Sequence, residues 1–327
     1  MNTDTLSDVL SAVRLSGGMF FRVQVREPYA VGASGVAEVL EAHAPDATHV
    51  MPFHLVTRGR MWFDIEGADS VCLDEGDIVV LPHGAPHSVT DTPGRPAIPV
   101  GDLGHAIEGT PPTLRWGGNG AEAGAVCGFF RSEGRVFNPL IESLPEVLVI
   151  RRRADRAAWV AATLERTFNE TLETRPGSSA LVERLTELLF IEVVQRYVEE
   201  QDARGWLGAL NDPVVGKSLA LLHAEPARHW SLDDLASAVG ASKSMLSQRF
   251  TDALARSPMR YLAAWRMEVA SHLLLNSRDS IATIASAVGY ESEAAFNRAF
   301  RRHVGEPPAA WRRRALALNA PLDPPGG

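Results

Sequence analysis

Cysteine occurs only twice in 327 residues, at Cys72 and Cys127, and there is no C-x-x-C pair. A disulfide framework and a zinc-thiolate site are therefore not expected. Lysine is as scarce: Lys217 and Lys243 stand alone, so arginine carries the positive charge, a composition bias without functional weight. No apolar run approaches the roughly 18 residues a membrane helix needs, and residues 1–14 lack the basic start and apolar stretch of a secretory signal. A soluble, cytoplasmic protein is expected. The chain does have apolar mass. With 45% hydrophobic and 22% charged residues, it can build about two ordinary domains, each with its own core.

Charge is divided unevenly. The formal net charge is −8, yet residues 213–318 hold 14 basic and 9 acidic side chains, net +5, against 18 and 31 elsewhere, net −13. That asymmetry suits a polyanion-binding module joined to an acidic partner domain.

Residues 18–150 carry short apolar runs broken by Gly, Pro and Asp. "MPFHLVTRGRMWFDIEG" reads as two strands around Arg58-Gly59, with Met61, Phe63 and Ile65 on one face and Trp62 and Asp64 on the other. "SVCLDEGDIVVLPHGAPHSV" supplies two more. The Gly/Pro-rich stretch from Pro99 to Val126 is expected to be a long loop. Beyond residue 150 the period becomes helical: Trp159, Leu164, Phe168 and Leu172 mark one helix, and Leu181, Leu185, Leu188, Leu189, Val193 and Tyr197 another. The second is apolar around most of its circumference, as a helix facing both its own domain and a second subunit would be.

The strongest signal is an internal repeat. Leu232-x-x-Leu235-Ala236-x-x-Val239-Gly240-x-Ser242-x-x-x-Leu246-x-x-x-Phe250 matches Ile281-x-x-Ile284-Ala285-x-x-Val288-Gly289-x-Glu291-Ser292-x-x-x-Phe296-x-x-x-Phe300. Two copies of one supersecondary unit follow. Each copy has a short helix with a small residue at the crossing, a glycine that ends it, and a serine N-cap opening a second helix, the mechanics of a helix-turn-helix. With Leu246/Phe250 and Phe296/Phe300 turned inward, Ser244, Ser247 and Gln248 face outward in the first copy. Glu293, Ala294, Asn297, Arg298 and Arg301 do so in the second. Such side chains can read base edges in a major groove, Ala294 with least capacity; Lys243, Arg249, Arg302 and Arg312–Arg314 are candidates for phosphate contacts.

With its "GYES…F…AF…G…P…WR" ending, the region 213–315 resembles the DNA-binding domain of AraC/XylS-type transcription regulators. "GDIVVLPHGAPH" fits the second half of a cupin pattern at Gly76, Pro82, Gly84 and His87. Together with the helices after it, the stretch 18–200 resembles the cupin-type sensor domain of one AraC subfamily. The resemblance implies an α+β multidomain chain. An N-terminal antiparallel, cupin-like β-barrel with following helices (1–150) would lead through a helical dimerisation segment (151–204) and a linker (205–212). A C-terminal all-α domain with two helix-turn-helix units (213–318; units 231–252 and 280–302) would precede a disordered tail (319–327).

The implied function is a transcription regulator that binds promoter DNA as a homodimer under control of a sensed signal, with contact to RNA polymerase and activation commoner than repression. No cofactor is expected. The first half of the cupin metal pattern is degenerate, so the barrel should be metal-free; His54, His83 and His87 are where a metal would go if one bound. A metal-dependent cupin enzyme is the alternative from another class. A small-molecule effector would meet Arg22, Phe53, His54, Trp62 and Trp116. Members of the subfamily respond to reactive chlorine through a cysteine pair, one matching Cys127; the N-terminal segment here lacks the other, leaving Cys72 as the remaining candidate.

Overall fold

The computed structural model describes residues 6–7, 10, 15–33, 47–108, 113–133, 137–152, 176–200 and 205–318. The helix expected around Trp159–Leu172 and the tail 319–327 lie outside them. The chain forms two compact units, one of residues 15–134 and 144–201, the other of residues 1–14, 135–143 and 202–327.

The first unit is built on two sheets. The larger has strand order β12-β6-β3-β11-β1-β10-β9, with β1 (Leu15–Arg26), β3 (Ala47–Arg58) and β11 (Glu122–Glu133) as its long centre. These are joined by β6 (Ile78–Val80), β9 (Ile107–Glu108), β10 (Thr113–Gly117) and β12 (Leu148–Ile150). The smaller has order β5-β4-β7-β2-β8, made of β2 (Ala30–Ala33), β4 (Arg60–Ile65), β5 (Val71–Asp74), β7 (His87–Thr90) and β8 (Ile98–Pro99). The expectation of a purely antiparallel barrel is corrected in its strand directions. The pairs β1/β10 and β2/β8 are parallel, and among the described residues the two sheets stay open. Strands of 12 residues dominate one sheet and strands of two to six the other, so they meet through side chains. Met61, Phe63 and Ile65 alternate inward as the pattern requires, joining Val23, Val25, Val79 and Leu81 in one apolar core.

The expected long loop after Pro99 is also structured. It contains a 3-10 helix (Val100–Ala106), β9 and β10, because Leu103 and Leu114 are almost wholly buried in the core. Asp77, at the Glu75-Gly76 turn, accepts from the backbone N–H groups of Asp74 and Arg152 and from the Arg151 guanidinium, tying that turn to the chain beyond β12. The helix α2 (Ser178–Glu200), which spans the predicted apolar positions, packs on the outer face of the larger sheet, where Phe190 meets Phe130 edge-on at 5.2 Å.

The second unit is all-helical: α3 (Gly205–Ala209), α4 (Val215–Ala224), α5 (Leu232–Val239), α6 (Lys243–Leu254), α7 (Pro258–Asn276), α8 (Ile281–Ala287), α9 (Glu293–Val304) and α10 (Pro308–Leu318). Residues 205–212 are not a linker. Trp206 and Leu207 are buried, and Trp206 Nε1 donates to the Tyr261 hydroxyl at 2.7 Å; its apolar "GWLGAL" is core, not spacer. A second boundary also moves. Residues 137–143, including α1 (Pro139–Ser143), follow β11 in sequence yet pack in the helical unit, where Phe137 is buried edge-on against Tyr261 at 5.4 Å.

Candidate DNA interface and sensor cluster

Each half of the repeat folds as its caps dictate. Ser231 accepts from the Asp234 N–H while the Asp234 carboxylate accepts from the Ser231 N–H, a complete capping box opening α5. Gly240, at φ +72°, ends that helix. Ser242 accepts from the Met245 N–H to open α6, and Leu246 and Phe250 are fully buried. In the second copy Ser280 caps α8, Gly289 turns at φ +83°, and Ser292 accepts from the Ala295 N–H to open α9 over buried Phe296 and Phe300. The helix α7 joins the two copies with 19 residues, about 28 Å at 1.5 Å per residue.

With the inward pairs fixed, the outward faces follow. Ser244, Gln248, Glu293, Ala294, Arg298 and Arg301 are exposed, and Ser247 and Asn297 half-buried at the rim. Arg298 and Arg301 hold no ion pair among the described residues, which leaves their guanidinium groups available. The phosphate candidates divide. Arg302 is exposed on the last turn of α9. Lys243 is paired with Asp233 at 2.5 Å, and Arg249 with Asp212 at 2.6 Å, a carboxylate that also caps α4 through the Val214 and Val215 N–H groups. Arg312 is spent inside the fold: Nε donates to the Leu274 carbonyl at 3.0 Å and Nη2 to that of Asp279 at 2.8 Å. It fastens α10 to the C-terminal end of α7, an internal role beside the phosphate contact expected of it. Arg314 is paired with Glu306.

In the first unit, strand register places His54 of β3 opposite Cys127 of β11. His54 Nδ1 lies 2.8 Å from Cys127 Sγ, and its Nε2 lies 2.8 Å from Nε2 of His87. One backbone contact sets every proton in this row. His87 Nδ1 is 3.1 Å from the Ala85 carbonyl, an oxygen that can only accept, so Nδ1 carries the hydrogen and Nε2 is bare. His54 must then donate from Nε2, and its Nδ1 accepts from the Cys127 thiol. Burial pushes both imidazoles below their usual pKa, His54 furthest with the His87 charge adding to it, and pushes the Cys127 thiol up. The row is neutral: a thiol on an imidazole, not a thiolate.

The other predicted sensor residues do not converge on it. Phe53, next to His54 on the strand, points the opposite way and stacks on Phe130 at 4.7 Å under α2. Arg22 lies opposite Val126 on that same outer face. Trp62 alternates with the inward Met61 and Phe63 and so faces away from the core, while Trp116 packs partly buried against the core's edge. Cys72 alternates with core Leu73 and faces away from Cys127's side of the core; both thiols are free. His83 Nε2 donates to the Leu144 carbonyl at 3.0 Å, turned from His54 and His87. Among the described residues no three His, Cys, Asp or Glu side chains are grouped to hold a metal ion.

Residues 4–199 match a cupin family and residues 235–314 a helix-turn-helix domain family. A protein of Streptomyces lividans described as an AraC-like transcription regulator is 32% identical over 272 residues, covering 82% of this chain and 88% of its own. The chain belongs to the AraC-like transcription regulators. It is thus a DNA-binding regulator with an N-terminal cupin domain. Among this regulator's relatives are the transcriptional regulator AlkR of Acinetobacter baylyi, 28% identical over 80% of this chain and 87% of its own. RclR of Escherichia coli, an RCS-specific transcriptional activator by its name, is 22% identical over 84% of this chain and 89% of its own. The DNA-binding domain of AdpA, solved with a target DNA, is 26% identical over 35% of this chain and all of its own, with a TM-score of 0.32.

The outward faces of α6 and α9 were legible from the repeat alone. Sequence reasoning missed the His54–Cys127 pairing, the anchoring of Arg312 and the burial of Phe137. Each depends on which strands or helices lie side by side, for which local periodicity holds no signal.

Proposed function

We propose that this AraC-like regulator recognises a two-part operator, α6 reading one major-groove segment through Ser244, Ser247 and Gln248, and α9 the next through Glu293, Asn297, Arg298 and Arg301. The observation that carries the reading is the matched pair of capped, outward-facing helices, held about 28 Å of helix apart by α7. Arg302 adds a phosphate contact; Lys243 and Arg249 can do so only on leaving their carboxylates. A second copy of the chain pairs through α2, whose Leu188 is 46% exposed on the outer side of the helix, and the cupin unit senses the controlling signal. Oxidant sensing runs through the Cys127–His54 pair without Cys72, which lies on β5 and faces away from the core that holds Cys127. RNA polymerase is the further partner an activator requires.

Selection of random duplex DNA with the purified full-length chain at physiological salt tests the reading. Enrichment of two motifs about one helical turn apart, 10 to 10.5 base pairs, is the expected result; no enrichment, with or without oxidant, counts against it. A response to hypochlorite that survives Cys127→Ser removes the redox reading while leaving the DNA reading intact.

A further inference from the structure

The segment 137–143 is part of the helical unit, though the chain enters and leaves it from strands of the sheet unit, β11 ending at Glu133 and β12 beginning at Leu148. Its docking is specific. Phe137 is buried to 6% exposure with its ring edge-on to Tyr261 and the Arg256 guanidinium 4.8 Å above it. The Phe137 N–H donates to the carboxylate of Glu268, itself 1% exposed within α7. Arg256, just beyond α6, is paired with Glu142 at 3.1 Å.

Tyr261 is the residue on which this strap acts. Its ring packs edge-on against Phe250, the inward side chain of α6, at 5.6 Å, and its hydroxyl accepts from Trp206 and donates to His223. The strap therefore braces the contact between α6 and the start of α7. The second reading helix is held by other residues: Phe296, Phe300, Trp311 and Leu274 form a cluster that contains neither Phe137 nor Tyr261. Withdrawing Phe137 would open a hole beside Tyr261 and take a backbone donor from the buried Glu268 carboxylate, two costs borne by the first copy alone.

We infer that residues 137–143 are a coupling strap through which the N-terminal unit sets the competence of the first helix-turn-helix, docked for reading and withdrawn for release. The strap's seven residues lie within the 14 that connect β11 to β12, so a change in the pairing of either strand is carried to it along the chain. The inference rests on the proposed two-part reading for its DNA readout, and the test separates the two.

Full-length wild type, Phe137→Ala, Phe137→Leu, Glu142→Arg and Glu142→Arg/Arg256→Glu are compared on the selected operator and on operators altered in one half. Phe137→Ala is expected to lower operator affinity by more than about tenfold, all of it from the half read by α6. Altering that half should then cost it little more, while discrimination at the α9 half stays at the wild-type value. Phe137→Leu should fall between. Glu142→Arg should lose a few-fold, as exposed ion pairs do, and the charge-swapped double variant should recover it. Hydrogen exchange on the same proteins should show lost protection in α6 and early α7 with α8 and α9 unchanged. Equal loss at both operator halves, uniform loss of protection, or no change in either would overturn the strap. If wild type selects no operator, the two-part reading fails, and the exchange pattern by itself still decides for or against the strap.

Discussion

At the scale of single residues, the arginines of the basic third do different work. Arg298 is exposed on the outward face of α9, whereas Arg312 donates to the Leu274 carbonyl of α7 and to that of Asp279 in the α7–α8 connection. Arg298→Ala should weaken specific operator binding by about 1–3 kcal/mol, relax preference at one or two base pairs, and spare binding to random DNA. Arg312→Ala should instead lower the unfolding free energy by about 1–2 kcal/mol; denaturant titration beside a binding assay distinguishes them.

His223 offers a pH test at the same scale. Stacked on Trp265 at 4.0 Å and accepting from Tyr261, it is pushed by burial from 6.5 down to about 3. The unfolded state binds its proton first, so this stability is complete above about pH 6.5 and declines as pH falls towards 3. Unfolding of the helical unit should show that slope between pH 7 and pH 4, and His223→Phe should flatten it; an equal slope in the variant would assign the effect elsewhere.

At the scale of elements, the two turns of the repeat look alike in sequence but differ in tolerance. Gly240 and Gly289 both sit at positive φ, +72° and +83°. A Cβ on Gly240 would meet nothing within 4 Å, whereas on Gly289 it would lie 2.4 Å from the Ala227 carbonyl oxygen. Gly240→Ala should cost about 1–2 kcal/mol for the left-handed backbone. Gly289→Ala should cost clearly more, because a backbone oxygen cannot swing aside; thermal melts of the two variants suffice to rank them. The repeat, its caps and its inward pairs were legible because each is local, within about 20 residues of chain. The parallel pairs β1/β10 and β2/β8 were not: an alternating strand pattern says which face is buried, but it does not say which strand lies beside which, or in what direction.

At the scale of the whole molecule, the division of charge is the relevant quantity. An acidic chain of net −8 places net +5 on residues 213–318, so DNA binding should weaken steeply with salt, each neutralised phosphate contributing about −0.9 to the slope of log K against log salt. Arg302→Ala should reduce that slope by about one without changing sequence preference, measured by titrations at several salt concentrations. Pairing through α2 is tested at this scale too: Leu188→Glu should convert a dimer to a monomer in sedimentation while both units keep their melting behaviour.

The sequence by itself determined the double helix-turn-helix, its outward faces and the family, since periodicity, caps and glycine turns are written within single elements. Tertiary structure alone decided that His54 faces Cys127, that Arg312 is an internal brace, and that Phe137 belongs to the helical unit's core. Partners 73, 38 and 124 residues apart in the chain meet only when strands pair and helices pack. Those long-range meetings depend on the burial of whole faces, which no short window of sequence contains.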